Sequence, residues 1–133
     1  MIFLDASVLL AAEDTDDSHH TSCVALLRTG ALATVGLALY ETVNVAQTCR
    51  HDTTAATRLS DRIWAIAELG ALVRVNRTLA EQITVLSAQH ALSAYDAAYV
   101  AGAQHLGVPL ASCDERDLVS RGLAHLPSDL LTS

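Results

Sequence analysis

Apolar positions along the chain fall into short unbroken runs and longer helical stripes, in alternation. Ile2-Phe-Leu4 is an apolar run without a turn signal, the pattern of a strand buried on both faces. It stops at Asp5, and Val8 to Ala12 then reads as a short helix. After a polar loop carrying Asp14, Asp16 and Asp17, a second helix is predicted from Ser18 to about Arg28, closed by Thr29-Gly30. Further strands are expected at Ala31–Thr34, Ala71–Val75 and Leu110–Ser112, with Leu123–His125 as a final edge strand. Between them lie helices from about Gly36 to Arg50, Thr53 to Leu69, Leu79 to His90, and Ser93 to the stop at Gly107. A short helix from Asp114 to Arg121 precedes Pro127 and a polar tail. Strands alternating with helices predict an α/β fold, a three-layer α/β/α sandwich around a mainly parallel sheet, with residues 1–133 as one domain.

In such sheets, ligands collect outside the carboxyl ends of the strands. Two acidic residues stand there, Asp5 after the first strand and Asp114 after the run ending at Ser112. Two more fall on inward helix faces. Glu41 shares a face with Leu37 and Val45, has no basic residue three or four positions away, and has Asn44 as a polar companion. A carboxylate in an inward stripe must be paired, bound to a cation or neutralised. Asp96 shares its stripe with Tyr99, Val100 and Ala103. Each acid also has a purely structural reading. Asp5 and Asp114 suit the N-caps of the helices that follow them. Ser93-Ala-Tyr-Asp96 fits a capping box. Asp117, one turn beyond Asp114, is either a solvated acid or a fifth ligand. Taken jointly, carboxylates converging on one small core repel one another unless cations sit among them. An all-oxygen set suits hard divalent ions such as Mg²⁺ or Mn²⁺.

Composition changes this picture in two ways. The chain is 51% hydrophobic with mean hydropathy +0.32, yet no stretch approaches the roughly 18 apolar residues of a membrane span. The first residues lack a basic region, and Asp5 interrupts the apolar run, so no signal peptide is expected. Three widely spaced cysteines, Cys23, Cys49 and Cys113, make no zinc pattern and fit a reduced, cytoplasmic protein. Net charge is −7 and lysine is absent, which taken alone argues against a nucleic-acid binder. Metal ligands, however, count as negative until their cations arrive. Five of the eight arginines, Arg50, Arg58, Arg62, Arg74 and Arg77, also lie in one central segment and offer a local basic patch.

Four short motifs then stand in order: Leu4-Asp5-Ala6-Ser7, Tyr40-Glu41-Thr42-Val43-Asn44, Ser93-Ala94-Tyr95-Asp96-Ala97-Ala98-Tyr99, and Ser112-Cys113-Asp114-Glu115-Arg116-Asp117-Leu118. In their order and spacing the chain resembles a PIN domain, and specifically a VapC-type toxin, the ribonuclease half of a bacterial toxin–antitoxin pair. That resemblance implies a metal-dependent endoribonuclease using Mg²⁺ or Mn²⁺. It implies ligands at Asp5, Glu41, Asp96 and Asp114, with Asp117 as a further acidic position. Ser7 and Ser112 match small hydroxyl positions that support the acidic site, beside the companion Asn44. The resemblance also implies an RNA substrate, a VapB-type antitoxin, a homodimer and no membrane.

The fourth helix buries Leu59, Ile63, Ile66 and Ala67 and turns Trp64 outward among Thr57, Ser60, Asp61 and Glu68. An outward Trp is a candidate partner contact, and the third helix has a second apolar face through Leu39, Val43 and Ala46. The alternative reading is a catalytically silent PIN-like scaffold, although all four acids are retained. A dehalogenase-like or receiver-like protein would want an acid at Ser7 or a lysine near the late strand, and the chain has neither.

Overall fold

A computed structural model of the chain describes residues 1–131. The strands are β1 (Ile2–Leu4), β2 (Leu32–Val35), β3 (Leu72–Val73) and β4 (Leu110–Ala111), and the sheet order is β3-β2-β1-β4. All three pairings are parallel, with Phe3 opposite both Ala33 and Leu110. Phe3 and Leu4 point to opposite faces and are both fully buried, so helices cover the sheet on both sides. The expected α/β sandwich is therefore the observed one, and its sheet is wholly parallel.

The helices are α1 (Ala6–Ala11), α2 (His20–Leu27), α3 (Leu37–Asn44), α4 (Thr53–Glu68), α5 (Arg77–His90), α6 (Ala94–Leu106) and α7 (Pro127–Leu130). Most start where the sequence supplies a cap. Asp52 accepts from the Ala55 N–H at 2.9 Å, Asn76 from Leu79 at 2.8 Å, and the Ser93 hydroxyl from Asp96 at 3.1 Å. Gly107 ends α6 at φ +66°, a left-handed conformation that glycine adopts without strain.

Three expected elements differ from the structure. The long third helix is α3 followed by a π-helical turn, Val45–Cys49, and the short helix after Asp114 is likewise a π turn, Glu115–Val119. Leu123–His125 is not a full edge strand but a single parallel bridge, Ala111 to His125. There the His125 N–H reaches the Leu110 carbonyl at 2.8 Å, and His125 returns its carbonyl to Ser112 at 2.9 Å. Pro127, with its φ preset for a first helical turn, then starts α7 inside the expected tail. The last two residues of that tail lie outside the described residues.

The helix α6 lies against β1, β2 and β4, and α4 against β2 and β3. Close approach of α6 to β1 depends on Gly102, because a Cβ there would strike the Phe3 ring. Phe3 is fully buried and cannot swing into solvent. Gly102→Ala is expected to cost about 1–3 kcal/mol through overpacking, despite alanine's better helix propensity. Urea unfolding measures this; an unchanged midpoint would show that the ring has room to move.

Candidate metal centre

The end of β1 is fixed before Asp5 is presented. The Thr34 hydroxyl donates to the Leu4 carbonyl at 2.7 Å, and the Asp5 N–H donates to Ala111 at 3.3 Å. Asp5 then caps α1 by accepting from the Val8 N–H at 3.3 Å, so the capping reading holds for this residue. Its Oδ1 also takes the Ser7 hydroxyl at 2.5 Å. Ser7 Oγ in turn accepts from the Cys113 N–H at 2.9 Å and lies 3.5 Å from the Ser112 hydroxyl. Ser112 Oγ accepts from the Asp114 N–H at 3.0 Å. The two serines thus tie the end of β1 to the end of β4, and with them Asp5 to Asp114.

Asp114 caps its π turn through Asp117, whose N–H lies 3.0 Å from Asp114 Oδ1. That turn carries Asp117 round to Asp96 near the start of α6. Asp96, Asp114 and Asp117, all half-buried, each offer a carboxylate oxygen within 4.8 Å of the others. Asp117 is therefore part of the acidic cluster and not a remote surface acid. Asp5 and Glu41 stand outside this triad but near enough for the charge of Asp96 to act on both.

Glu41 has a partner that sequence spacing did not supply. The Tyr99 hydroxyl donates to Glu41 Oε1 at 3.0 Å, across 58 residues. Tyr99 lies three positions after Asp96 on α6, so the same inward face carries both groups. Asn44 is exposed beside Glu41 on the wall of a groove between α3 and α4, and its carbonyl accepts from the Thr48 hydroxyl at 2.6 Å.

The electrostatics are those of crowded acids. Burial pushes the Asp5 carboxyl up to about 6, and the charge of Asp96 adds to the rise. The hydroxyls of Ser112 and Ser7 and the Val8 N–H act against it. Burial also raises Glu41, opposed by the Tyr99 hydroxyl, with Asp96 again adding. Asp96 is raised by burial, then by Asp114 and Asp117, while Ser93 pulls the other way. Burial and the neighbouring Glu41 keep Tyr99 protonated, as a donor to that carboxylate. The basic patch expected from the central arginines is partly spent elsewhere. Arg58 pairs with Glu13 at 2.6 Å, and Arg50 lies 3.8 Å from Asp14 and donates to the Leu10 carbonyl at 3.1 Å. These contacts fasten α4 and the first π turn to the end of α1. Arg62, Arg74 and Arg77 remain exposed.

A family model for the PIN domain matches residues 2–121. The chain belongs to the PIN-domain family. No curated protein sequence matches it. Among solved structures, this PIN domain is similar to a toxin–antitoxin complex from Klebsiella pneumoniae, with TM-score 0.71 and 14% identity, covering 96% of this chain and 98% of that one. It is also similar to VapC20 of Mycobacterium tuberculosis, a sarcin-ricin loop cleaving toxin, with TM-score 0.66 and 23% identity over 81% and 85% of the two chains. FitAcB from Neisseria gonorrhoeae gives TM-score 0.68 and 18% identity over 96% and 99%. At these identities the likeness is one of fold. Among the described residues, no helix of this PIN domain is long and apolar enough to cross a membrane.

Proposed function

We propose that this PIN domain is the toxin of a VapBC-type toxin–antitoxin pair, a cytoplasmic endoribonuclease that hydrolyses RNA phosphodiester bonds at the acidic cluster with Mg²⁺ or Mn²⁺. The observation that carries the reading is the convergence of Asp96, Asp114 and Asp117, with Asp5 and Glu41 beside them. The donor chemistry fits a hard divalent cation, since every candidate ligand is a carboxylate oxygen. When bound, such an ion activates water and stabilises charge on the phosphate oxygens. The chain's own residues hold that arrangement ready. Ser7 and Ser112 keep Asp5 and Asp114 in register, Ser93 fixes the start of the helix bearing Asp96, and Tyr99 orients Glu41. Similarity of fold to VapC20, a toxin that cleaves the sarcin-ricin loop, supports RNA as substrate.

The test is incubation of total cellular RNA with purified, antitoxin-free protein and Mg²⁺ or Mn²⁺, with EDTA as control. Discrete products that vanish with EDTA are expected. Intact RNA under every metal would favour a catalytically silent scaffold.

In this reading the antitoxin docks on α3 and α4. A groove of about 960 Å³ runs between them, with Leu37, Leu39, Val43 and Ala56 among its walls and Tyr40 and Tyr95 at its edge. Trp64 is 66% exposed beside it, next to Leu39, Tyr40 and Leu72. Similarity of fold to a toxin–antitoxin complex supports this partner class. Trp64→Ala is expected to weaken antitoxin binding by about 2 kcal/mol, about 30-fold, and to leave the unfolding midpoint unchanged. Equal affinities by calorimetry would move the interface elsewhere. A homodimer belongs to the same reading, and the mass in solution reports it.

A further inference from the structure

Cys23 on α2 and Cys113 are 90 residues apart in sequence, yet their Sγ atoms lie 3.6 Å from one another. Cys23 is fully buried and Cys113 half-buried; the third thiol, Cys49, is exposed on the first π turn. Two sulfurs in contact need to close by only about 1.5 Å to reach a disulfide bond length. Position gives the pair its interest. The Cys113 N–H is held by Ser7 Oγ at 2.9 Å, and Ser7 donates to Asp5 Oδ1 at 2.5 Å. The next residue, Asp114, belongs to the acidic triad. The peptide that carries this thiol is therefore the one on which the support of Asp5 and the placement of Asp114 both depend.

We propose that Cys23 and Cys113 form a reversible dithiol–disulfide pair, oxidised by a hydroperoxide, whose bridge loosens the cation site. The effect on the site rests on the metal-dependent reading above; the bridge itself does not. Cys113 is the more accessible thiol, and its sulfur attacks a peroxide oxygen. The O–O bond breaks, an S–O bond forms, and water leaves when the oxidant is hydrogen peroxide. Cys113 is then a sulfenic acid. Cys23 Sγ attacks that sulfur, the S–O bond breaks, the S–S bond forms, and a second water carries off the Cys23 proton. In sum, two thiols lose two electrons and two protons, and one hydrogen peroxide is reduced to two waters. A small thiol reverses the bridge by exchange. In a compartment kept reducing, the dithiol is the resting form and the bridge a transient one. Drawing Cys113 toward α2 shifts the peptide that anchors Ser7, and outer-shell contacts of this kind commonly set metal affinity by about 10–100-fold.

The experiment uses the full chain carrying Cys49→Ser, which removes intermolecular bridging. Protein is titrated with hydrogen peroxide, unfolded, alkylated and weighed, and Mn²⁺ binding is measured by calorimetry before and after. The expected result is a mass lower by two hydrogens, a linked Cys23–Cys113 peptide pair, restoration by dithiothreitol, and Mn²⁺ affinity reduced about tenfold. Adding Cys23→Ser is expected to leave Mn²⁺ affinity unchanged and to replace the bridge by oxygen added at Cys113. Both thiols remaining free for alkylation, at peroxide levels that oxidise a control thiol peptide, would overturn the bridge. A bridge formed with no change in Mn²⁺ affinity would overturn its effect on the site. If even the reduced protein binds no Mn²⁺, the metal reading and that effect fall together, and the bridge is judged by mass alone.

Discussion

Replacing Asp5 by Asn is expected to slow RNA cleavage severely and, at the same time, to make the cation-free protein more stable. Asp5 is 5% exposed, and burial lifts its carboxyl from 3.8 to about 6. Below 3.8 the carboxyl is neutral in both folded and unfolded chains, and burial costs nothing as charge. Between 3.8 and about 6 the unfolded chain ionises freely while the folded one holds its proton, so stability falls as pH rises. Above about 6 the folded chain carries the buried charge, at a cost of about 3 kcal/mol. Asn never ionises, and its amide oxygen can still accept from the Val8 N–H and the Ser7 hydroxyl. The variant should therefore melt above the wild type at pH 7 in EDTA, with the gap closing toward pH 3.5. Cleavage should fall by roughly two to three orders of magnitude, the size of removing one charge-stabilising group from a hydrolytic site. Equal melting temperatures at pH 7 would mean that the Asp5 charge is not buried at a cost. Cleavage at the wild-type rate would remove Asp5 from the site. Stability gained where activity is lost is the mark of a functional residue and not of a mere cap.

The residues of this site were legible in the sequence to different degrees, for physical reasons. Asp5 and Asp114 end apolar runs, and a strand that stops at a capping acid announces both the turn and the carboxylate. Glu41 was legible because no local cation answers it. Its actual partner, Tyr99, comes from another element, and only the fold brings the two together. Asp117 stood open between surface acid and ligand because helical spacing says which face a residue shares and not what faces it. A π turn, with its widened geometry, places it in the cluster. Three alternating residues at Leu123–His125 carry too little pattern to tell a single bridge from a ladder. How much of the arginine cluster is free stood open, because sequence shows clustering along the chain, whereas Glu13 and Asp14 reach Arg58 and Arg50 from the end of α1. The Cys23–Cys113 contact has no local signature at all, since its two halves lie on elements that only the sheet order makes neighbours.

Adding Mn²⁺ or Mg²⁺ is expected to raise the melting temperature by about 10 °C, and Asp114→Asn is expected to remove most of that rise. The argument starts from repulsion. Asp96, Asp114 and Asp117 present oxygens within 4.8 Å of one another, and Asp96 is raised by burial and then by the charges of the other two. A cation that binds only the folded chain, at about 100 times its dissociation constant, adds about 2.7 kcal/mol. In a domain of this size that corresponds to about 10 °C. Asn at position 114 keeps an oxygen for the Asp117 N–H, so the cap on the π turn survives while one charge and the better ligand are lost. If the cation then binds about 30-fold more weakly, the same concentration adds under about 1 kcal/mol, or about 3 °C. Glu115→Gln is the control, since Glu115 is exposed and stands outside the triad, and it should leave the rise intact. Melting curves in EDTA, Mn²⁺ and Mg²⁺ for the three proteins decide the matter without reference to RNA. A rise equal in all three would place the cation elsewhere on the surface. No rise in the wild type would mean that these carboxylates tolerate one another unaided, and the acidic cluster would then have to be explained by water and its serine hydrogen bonds alone.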